Sequence, residues 1–230
     1  MAPTDSDLAL FPRPSVAVDA AVMTVTEAGE LGVLVHRRTG DRAGSWALPG
    51  RFLRERERLE GAVATTVEEK CHLSARALAG RRPRQLHVFD DPARDDRGWV
   101  LSVGHLLAMP HERLKSVVAE HDDLAIAPIR RGRAVLPDGQ ETLPYGQDEI
   151  VTRARDELRT LYMDKPDPER FIEADAFTLT ELGEVHFAVL GKEHWSIDTF
   201  RRKMSRQLRE TDELSRGGPG RPAALYRRRS

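Results

Sequence analysis

The stretch at residues 46–73, WALPGRFLRERERLEGAVATTVEEKCHL, combines a Leu-Pro-Gly turn with charged side chains at helical spacing. Carboxylates at positions i, i+3 and i+4 lie on one helix face, where together they can hold a hard divalent cation and a water beside a diphosphate. In this sequence those positions are Thr66, Glu69 and Lys70. The Lys70 ammonium would lie roughly 5 Å from the remaining carboxylate and compete with a cation. The spacing indicates pyrophosphate handling, whereas the residue types predict that hydrolysis is lost.

This stretch resembles the Nudix box, in which a glycine precedes five residues, a glutamate, seven residues and then Arg-Glu-apolar-x-Glu-Glu-x-Gly-apolar. With Arg51 at the glycine position, Glu57 occupies the position of the first glutamate and the apolar positions are kept. The sequence therefore predicts no catalytic residue and no metal ligand in a degenerate box. Its key positions hold Glu57, Thr65, Thr66, Glu69 and Lys70.

A second register and a purely structural reading of the box remain as alternatives. Counting from Gly50 recovers Glu68 and Glu69 as a pair of carboxylates, but it places Thr66 and His72 in the apolar positions. We therefore favour the register that begins at Arg51. An amphipathic surface helix without phosphate chemistry would also bury one face. The Leu-Pro-Gly turn and the preserved spacing argue against that simpler reading.

The chain of 230 residues is long enough for two domains, and its charge is unevenly divided. Residues 177–230 carry eleven basic and seven acidic side chains, a net charge of +4, whereas residues 1–176 carry −5. A basic tail on an acidic body indicates a polyanionic partner. Cys71 is the only cysteine, which excludes an internal disulfide and a cysteine zinc cluster. Because no secretory signal or long apolar run occurs, we expect a cytoplasmic protein with no membrane partner.

Apolar periodicity predicts the elements that must position the box. Leu59, Val63 and Val67 recur at helical spacing and mark the core face of the box helix. A second helix, at residues 148–161, places Ile150 and Leu158 on one side. Apolar runs bounded by turn residues predict strands at residues 16–25, 31–38, 85–89, 99–109 and 125–129. The first two strands are predicted to pair as one hairpin, and the next two as another.

The last third of the chain has the order of elements found in a winged helix-turn-helix. Thr178 and Glu181 form a predicted capping box at the start of one helix, and Ser196 is a good N-cap for the next. A glycine-rich turn between two short extended pieces follows. A solvated basic helix face is common, but its position between a capped helix and a basic hairpin favours DNA binding. The predicted DNA contacts lie in the helix that begins at Ser196 and in the wing. In the helix they are Thr199, Arg201, Arg202, Lys203 and Arg206, and in the wing Arg221.

Taken together, the two halves resemble the NrtR family of transcriptional regulators of NAD metabolism. The resemblance is carried by LPGRF, VEEKCHL, DDPARDDRGWVLSV, FTLTEL, TFRRKM and GRPAALYR, in that order. It implies that the first domain is similar to an ADP-ribose hydrolase and senses ADP-ribose or a related NAD metabolite. It also implies that a homodimer binds a palindromic double-stranded operator and represses NAD biosynthesis or salvage genes. Departures from the family pattern are Arg51 for glycine, Cys71 and His72 for Thr-Gly, and Thr199 for asparagine.

The resemblance implies an α+β fold, an α/β/α Nudix-like sandwich followed by a winged helix-turn-helix domain. We expect a diphosphate to be held by arginines without a metal, so no cofactor is required. The predicted effector-binding residues are Arg38, Trp46, Arg51, Phe52, Phe89 and Arg97. The predicted segments are a flexible lead-in at residues 1–14, the Nudix-like effector-sensing domain at 15–163, a linker at 164–176 and the winged helix domain at 177–230.

Two other functions fit parts of the sequence. In the first, Glu57, Glu60, Glu68 and Glu69 hold one magnesium ion, and the chain is an active Nudix hydrolase with an accessory basic domain. In the second, the Nudix-like domain serves only to dimerise a DNA-binding protein.

Overall fold

The computed structural model describes residues 11–215 and 222–229, so residues 1–10 of the predicted lead-in lie outside the described part. Among the described residues, eight strands form one mixed sheet and three form a second, smaller sheet. The strands of the larger sheet are β1 (Ser15–Val25), β2 (Leu31–Arg37), β3 (Trp46–Ala47), β4 (Gly50–Phe52), β5 (Arg84–Phe89), β6 (Val100–Ala108), β7 (Leu124–Arg130) and β8 (Arg133–Ala134). The helices packed with it are α1 (Leu59–Cys71), α2 (Ala75–Leu78), α3 (His111–Glu120) and α4 (Gln147–Tyr162).

Strand β1 is central because its small apolar side chains are buried on both faces of the sheet. The strand order is β5-β6-β1-β2-β7-β8, with β3 paired to β2 and β4 paired to β1. Val18 and Val22 belong to the core cluster that includes Val63 of α1. Ala21 and Met23 belong to the cluster on the α4 side. Helices therefore cover both faces of the sheet, and the predicted α/β/α sandwich is confirmed.

The geometry of helix α1 supports the register that begins at Arg51. Val67 and Leu73, in the apolar positions of the box, are fully buried. His72 has φ 51° and ψ 28°, a left-handed conformation that favours glycine, and it occupies the final glycine position of the box. Its ring stacks on that of His121 with centroids 3.7 Å apart. The backbone at this position thus has the conformation that a glycine would adopt, although the residue is a histidine.

The two predicted hairpins are confirmed, since β1 pairs with β2 and β5 with β6, both antiparallel. Helix α4 extends slightly beyond its predicted ends, and Ile150 and Leu158 are buried as expected. No sequence signal predicted α3, because Leu114 is the only side chain fully buried along that helix. The sequence HERLKSVVAE offers too short an apolar face to separate a helix from a surface loop.

The C-terminal part forms a winged helix domain around a compact core of five buried side chains. Its elements are β9 (Ala176–Thr178), α5 (Leu179–Leu190), α6 (Ile197–Ser205), β10 (Leu208–Leu214) and β11 (Ala224–Arg228). The capping box is confirmed, because Oγ1 of Thr178 accepts from the amide of Glu181 and Oε2 of Glu181 accepts from the amide of Thr178. Strand β11 pairs with both β9 and β10. The core consists of Phe177, Leu182, Phe200, Met204 and Leu208.

The two domains pack directly against each other. Val185 and Val189 of α5 lie in the same core cluster as Ile150 and Leu158 of α4. The segment at residues 164–176, predicted as a linker, contacts both domains and buries Phe171. No helix in the described ranges is long and apolar enough to cross a membrane.

Candidate anion cavity and nucleic-acid interface

A cavity of about 260 Å³ opens between the central strand and the N-terminal end of α4. Strands β1 and β4 contribute its floor, and the loop between β5 and β6 contributes part of its wall. Five basic side chains and two carboxylates line it among the residues that the structure describes. This excess of positive charge suits a ligand with several negative charges. The charged lining residues are Arg38, Arg51, Lys70, Arg94, Arg97, Asp19 and Asp95.

The floor of the cavity is a buried polar network around Asp19. Its carboxylate accepts hydrogen bonds from Oγ of Ser102 at 2.5 Å and from Nε2 of Gln147 at 2.7 Å. Burial raises the pKa of Asp19, while these hydrogen bonds and the nearby Arg94 oppose the rise. A Cβ at Gly50 would collide with the Asp19 carboxylate. The glycine of the Leu-Pro-Gly turn therefore allows the backbone of β4 to lie against the cavity floor.

The degenerate box forms one side of the cavity through two basic residues. Nη1 of Arg51 lies 2.7 Å from Oε1 of Glu57, and the backbone amide of Arg54 donates to the other oxygen at 2.8 Å. The hydrogen bond from Arg51 holds the pKa of Glu57 below its usual value. The ammonium group of Lys70 donates to the carbonyl of Gly50. Lys70 thus stands where the box pattern has a carboxylate, and Arg51 is paired with the residue at the first glutamate position.

The residues of this box do not fit the divalent cation that a Nudix box holds in a hydrolase. The hydroxyl of Thr66 donates to the carbonyl of Ala62 at 2.8 Å, and the side chain of Glu69 is exposed. Glu57 is bound to Arg51. No group of three His, Cys, Asp or Glu side chains within residues 11–215 and 222–229 could hold a metal ion. The cavity is therefore suited to binding an anion directly through its own cations.

Tyr145 is an important residue of the cavity that no sequence pattern indicated. The guanidinium of Arg97 lies 3.9 Å from the centre of its ring, and that of Arg38 lies 4.9 Å away. The phenol donates to Oδ2 of Asp41 at 2.5 Å. Arg97 also lies 5.2 Å from the exposed ring of Phe52. The only local signal was the Tyr-Gly pair before α4, which marks a helix start but not a ligand site.

The structure brings four of the six predicted effector residues together, namely Arg38, Arg51, Phe52 and Arg97. Trp46 and Phe89 lie in the core instead, with only 4% and 5% of their surfaces exposed. The indole nitrogen of Trp46 donates to Asp138 at 3.2 Å, and neither residue lines the cavity. The ring of Phe89 packs so closely on Gly104 that a Cβ there would lie 2.6 Å from it. Neither ring is therefore placed where a ligand could stack on it.

Helix α6 presents the predicted basic face in part. Arg201, Arg202 and Arg206 are exposed. Lys203 is held away from that face, because its ammonium lies 2.8 Å from Oδ1 of Asp164 and packs over the ring of Trp195. Thr199 is half-buried in the cap of α6, where its hydroxyl accepts from Oγ of Ser196 at 2.9 Å. The glycine-rich turn at residues 216–221, with Arg221, lies outside the described residues.

A concave surface, which encloses a volume of about 660 Å³, extends this basic face toward the wing. Arg206, Arg209 and Arg229 line it together with Tyr226. Nε of Arg229 donates to the carbonyl of Leu208 at 3.2 Å, which anchors the side chain at the base of β10. No sequence pattern indicated a role for Arg209 and Arg229, since only the pairing of β10 with β11 brings them beside α6.

Comparisons with known proteins find matches for both domains of the chain. Residues 174–228 match the model of the NrtR DNA-binding winged helix domain. The fold is similar to that of Shewanella oneidensis NrtR complexed with a 27mer DNA, with a TM-score of 0.73, 28% identity and 93% of each chain covered. The Nudix domain of the same protein complexed with ADP ribose matches with a TM-score of 0.50 and 25% identity, over 67% of this chain and 94% of that one. The ADPR responsive transcriptional repressor NtrR of Acinetobacter baylyi is 27% identical over 94% of this chain and 83% of its own.

Proposed function

We propose that this chain, which belongs to the NrtR family, represses NAD biosynthesis or salvage genes and is released from its operator by ADP-ribose. One observation carries the proposal. The exposed arginines of α6 lie in a winged helix domain that is packed onto a Nudix-like domain, and the cavity of that domain is basic and unsuited to a catalytic cation. Binding of a nucleotide and binding of DNA are thereby joined without a need for hydrolysis.

Helix α6 is the proposed recognition helix. Arg201 and Arg202 are exposed on it, and an arginine can donate two hydrogen bonds to one guanine in the major groove. Arg206, Arg209 and Arg229 surround the adjacent concave surface and suit contacts with phosphates. The similarity to a relative solved with DNA supports this assignment. A homodimer would place two such helices on a palindrome, with half-sites about 34 to 36 Å apart.

ADP-ribose is the proposed effector. Its diphosphate would meet Arg38, Arg51 and Arg97, and guanidinium groups bind phosphate oxygens in pairs of charge-assisted hydrogen bonds. The exposed ring of Phe52 offers a surface on which a base or a ribose can pack. Because these contacts need no metal, the domain requires no cofactor for sensing. The similarity to a Nudix domain solved with ADP ribose supports the choice of ligand.

Hydrolysis of ADP-ribose is not part of the proposed function. The alternative, an active hydrolase, needs Glu57, Glu60, Glu68 and Glu69 to share one magnesium ion. Glu57 is paired with Arg51, and Glu60 points to Arg82 with an N–O distance of 3.4 Å. These pairings, together with the position of Lys70, support sensing over catalysis.

A gel shift with DNA from upstream of NAD-salvage genes, with and without ADP-ribose, separates the three functions. The proposal expects a shifted band that ADP-ribose removes while the nucleotide stays intact. A band that ADP-ribose does not change would favour a structural Nudix-like domain. Consumption of ADP-ribose without a specific band would favour the hydrolase. Because such a regulator must meet both chromosomal DNA and free NAD metabolites, we place it in the cytoplasm.

A further inference from the structure

Helix α4 links the cavity to the junction with the winged helix domain. Its 16 residues correspond to a rod about 24 Å long. Tyr145 immediately precedes its N-cap and lines the cavity, as does Gln147 in its first turn. Tyr162, its last residue, is fully buried at the other end. A single rigid element therefore has one end at the proposed effector and the other beside the DNA-binding domain.

The cavity end of α4 is tied to the cavity floor by Gln147. Its amide nitrogen donates to Oδ1 of Asp19 at 2.7 Å, and its amide oxygen accepts from the backbone amide of Leu48 at 2.8 Å. Gln147 is almost fully buried. A ligand that shifts the floor or the wall of the cavity would therefore move the start of α4 with it, because a buried hydrogen bond is costly to break.

The far end of α4 is tied to Asp167 in the segment that joins the domains. Oη of Tyr162 donates to Oδ1 of Asp167 at 2.7 Å. The same carboxylate accepts from the backbone amides of Phe171 at 2.8 Å and Ile172 at 3.0 Å. Asp167 is 1% exposed and has φ 47°, in the left-handed region that aspartate enters more often than most residues other than glycine. Because these hydrogen bonds hold a buried carboxylate, a movement of one partner displaces the others.

Asp167 also reaches the wing through Arg228. Nη2 of Arg228 donates to Oδ2 of Asp167 at 2.5 Å and to the carbonyl of Ile172 at 2.7 Å. The guanidinium lies 4.8 Å from the ring centre of Phe177, a core residue of the winged helix domain. Arg228 is the last residue of β11, the middle strand of the small sheet. One buried carboxylate thus connects α4, the connecting segment and the wing.

We propose that Asp167 is the positioning residue that couples effector binding to DNA binding, by fixing β11 to the end of α4. The proposal rests on the proposed function and adds the residues through which the effector cavity is coupled to the DNA-binding domain. In the first step, bound ADP-ribose displaces α4 through its contacts with Tyr145 and Gln147. The hydrogen bond from Tyr162 then displaces Asp167. The ion pair of Asp167 with Arg228 finally rotates the wing and α6 relative to the operator. Packing of α4 against α5 is the competing route, because Val185 and Val189 share its core.

The test uses full-length Asp167→Asn, which keeps the shape of the side chain but removes its charge and replaces one accepting oxygen by an amide nitrogen, which cannot accept from Arg228. Operator affinity is measured with and without saturating ADP-ribose, and ADP-ribose affinity is measured separately. We expect both ligands to bind with affinities close to wild type, and the ratio of operator affinities without and with ADP-ribose to fall toward one. A wild-type ratio, commonly about 5 to 150-fold for coupled sites, retained in the variant would overturn the role of Asp167.

Tyr162→Phe provides a second variant that removes one hydroxyl from the same route and leaves the Asp167 and Arg228 pair intact. It should also reduce the ratio, and an unchanged ratio in a folded Tyr162→Phe protein would contradict the proposal even if Asp167→Asn does not fold. The matched control is Asp175→Asn in the same segment, whose side chain is 90% exposed; it should keep the wild-type ratio. If the wild-type protein itself shows no effect of ADP-ribose on operator binding, the proposed function fails before the route is tested.

Discussion

Nη1 of Arg51 lies 2.7 Å from Oε1 of Glu57, so the residue at the glycine position of the Nudix-like box neutralises the residue at its first glutamate position. Both side chains are largely shielded from solvent, at 12% and 20% exposure. Lys70 closes the same wall of the cavity by donating to the carbonyl of Gly50. The box therefore presents a mixed-charge wall that can face an anion, where the Nudix pattern has a cluster of carboxylates.

The first prediction is that ADP-ribose binds without a divalent cation and is not turned over. Affinity should be the same in magnesium and in EDTA, because Thr66 and Lys70 replace two of the three central carboxylates. Calorimetry in both buffers measures the affinity, and release of AMP measures turnover. A tenfold gain in affinity with magnesium, or turnover at about 1 per second or faster, would show that the box is functional.

The second prediction concerns the exposed face of α6. Arg201→Ala combined with Arg202→Ala should abolish specific operator binding, because each base-reading arginine contributes about 1 to 3 kcal/mol. Fluorescence anisotropy at physiological salt would measure the loss. Arg56→Ala with Arg76→Ala removes the same charge from exposed positions of the Nudix-like domain and should have little effect. Retained binding in the α6 variant would mean that another element reads the DNA.

The sequence predicted those features that local patterns determine. The capping box of Thr178 and Glu181, the buried face of α1 and both hairpins depend on residues close together in the chain. The lining of the cavity does not. The phenol of Tyr145 binds Asp41, which is 104 positions away, and no periodicity reports such a contact. The burial of Trp46 and the ion pair between Lys203 and Asp164 likewise depend on tertiary packing.

The third prediction compares an arginine that lines the cavity with one that does not. Arg97→Ala should weaken ADP-ribose binding roughly 10 to 100-fold, because a hydrogen bond to a charged group contributes about 1.5 to 3 kcal/mol. Arg37→Ala is the control, since Arg37 packs on Trp46 and pairs with Asp138 without lining the cavity. Calorimetric titration checks both variants. Equal losses in the two variants would argue that charge alone, and not the cavity, holds the ligand.

The fourth prediction is a loss of stability in acid. Burial lowers the pKa values of His36 and His186 to about 4, so the folded state binds fewer protons than the unfolded state as the pH falls below 6.5. The free energy of unfolding is therefore unaffected by these two histidines above pH 6.5, where they are neutral in both states, and it decreases as the pH falls toward 4. For His186 the loss at pH 4.5 should be about 2.5 kcal/mol.

Urea unfolding of wild type and His186→Leu at pH 7 and pH 4.5 measures this contribution. The variant should lose less free energy of unfolding between the two pH values than the wild type does. The same change at His194, which is exposed, should leave the acid sensitivity as it is. An identical pH dependence in wild type and His186→Leu would assign the acid loss to other groups.

The central claim is that ADP-ribose and operator DNA oppose each other through one protein, and the most direct measurement is calorimetric titration of ADP-ribose into the free protein and into its operator complex. Thermodynamic linkage requires the two effects to be reciprocal. We expect ADP-ribose to bind the complex more weakly than the free protein, by the same factor by which saturating ADP-ribose weakens operator binding. Equal ADP-ribose affinities in the two titrations would contradict the account.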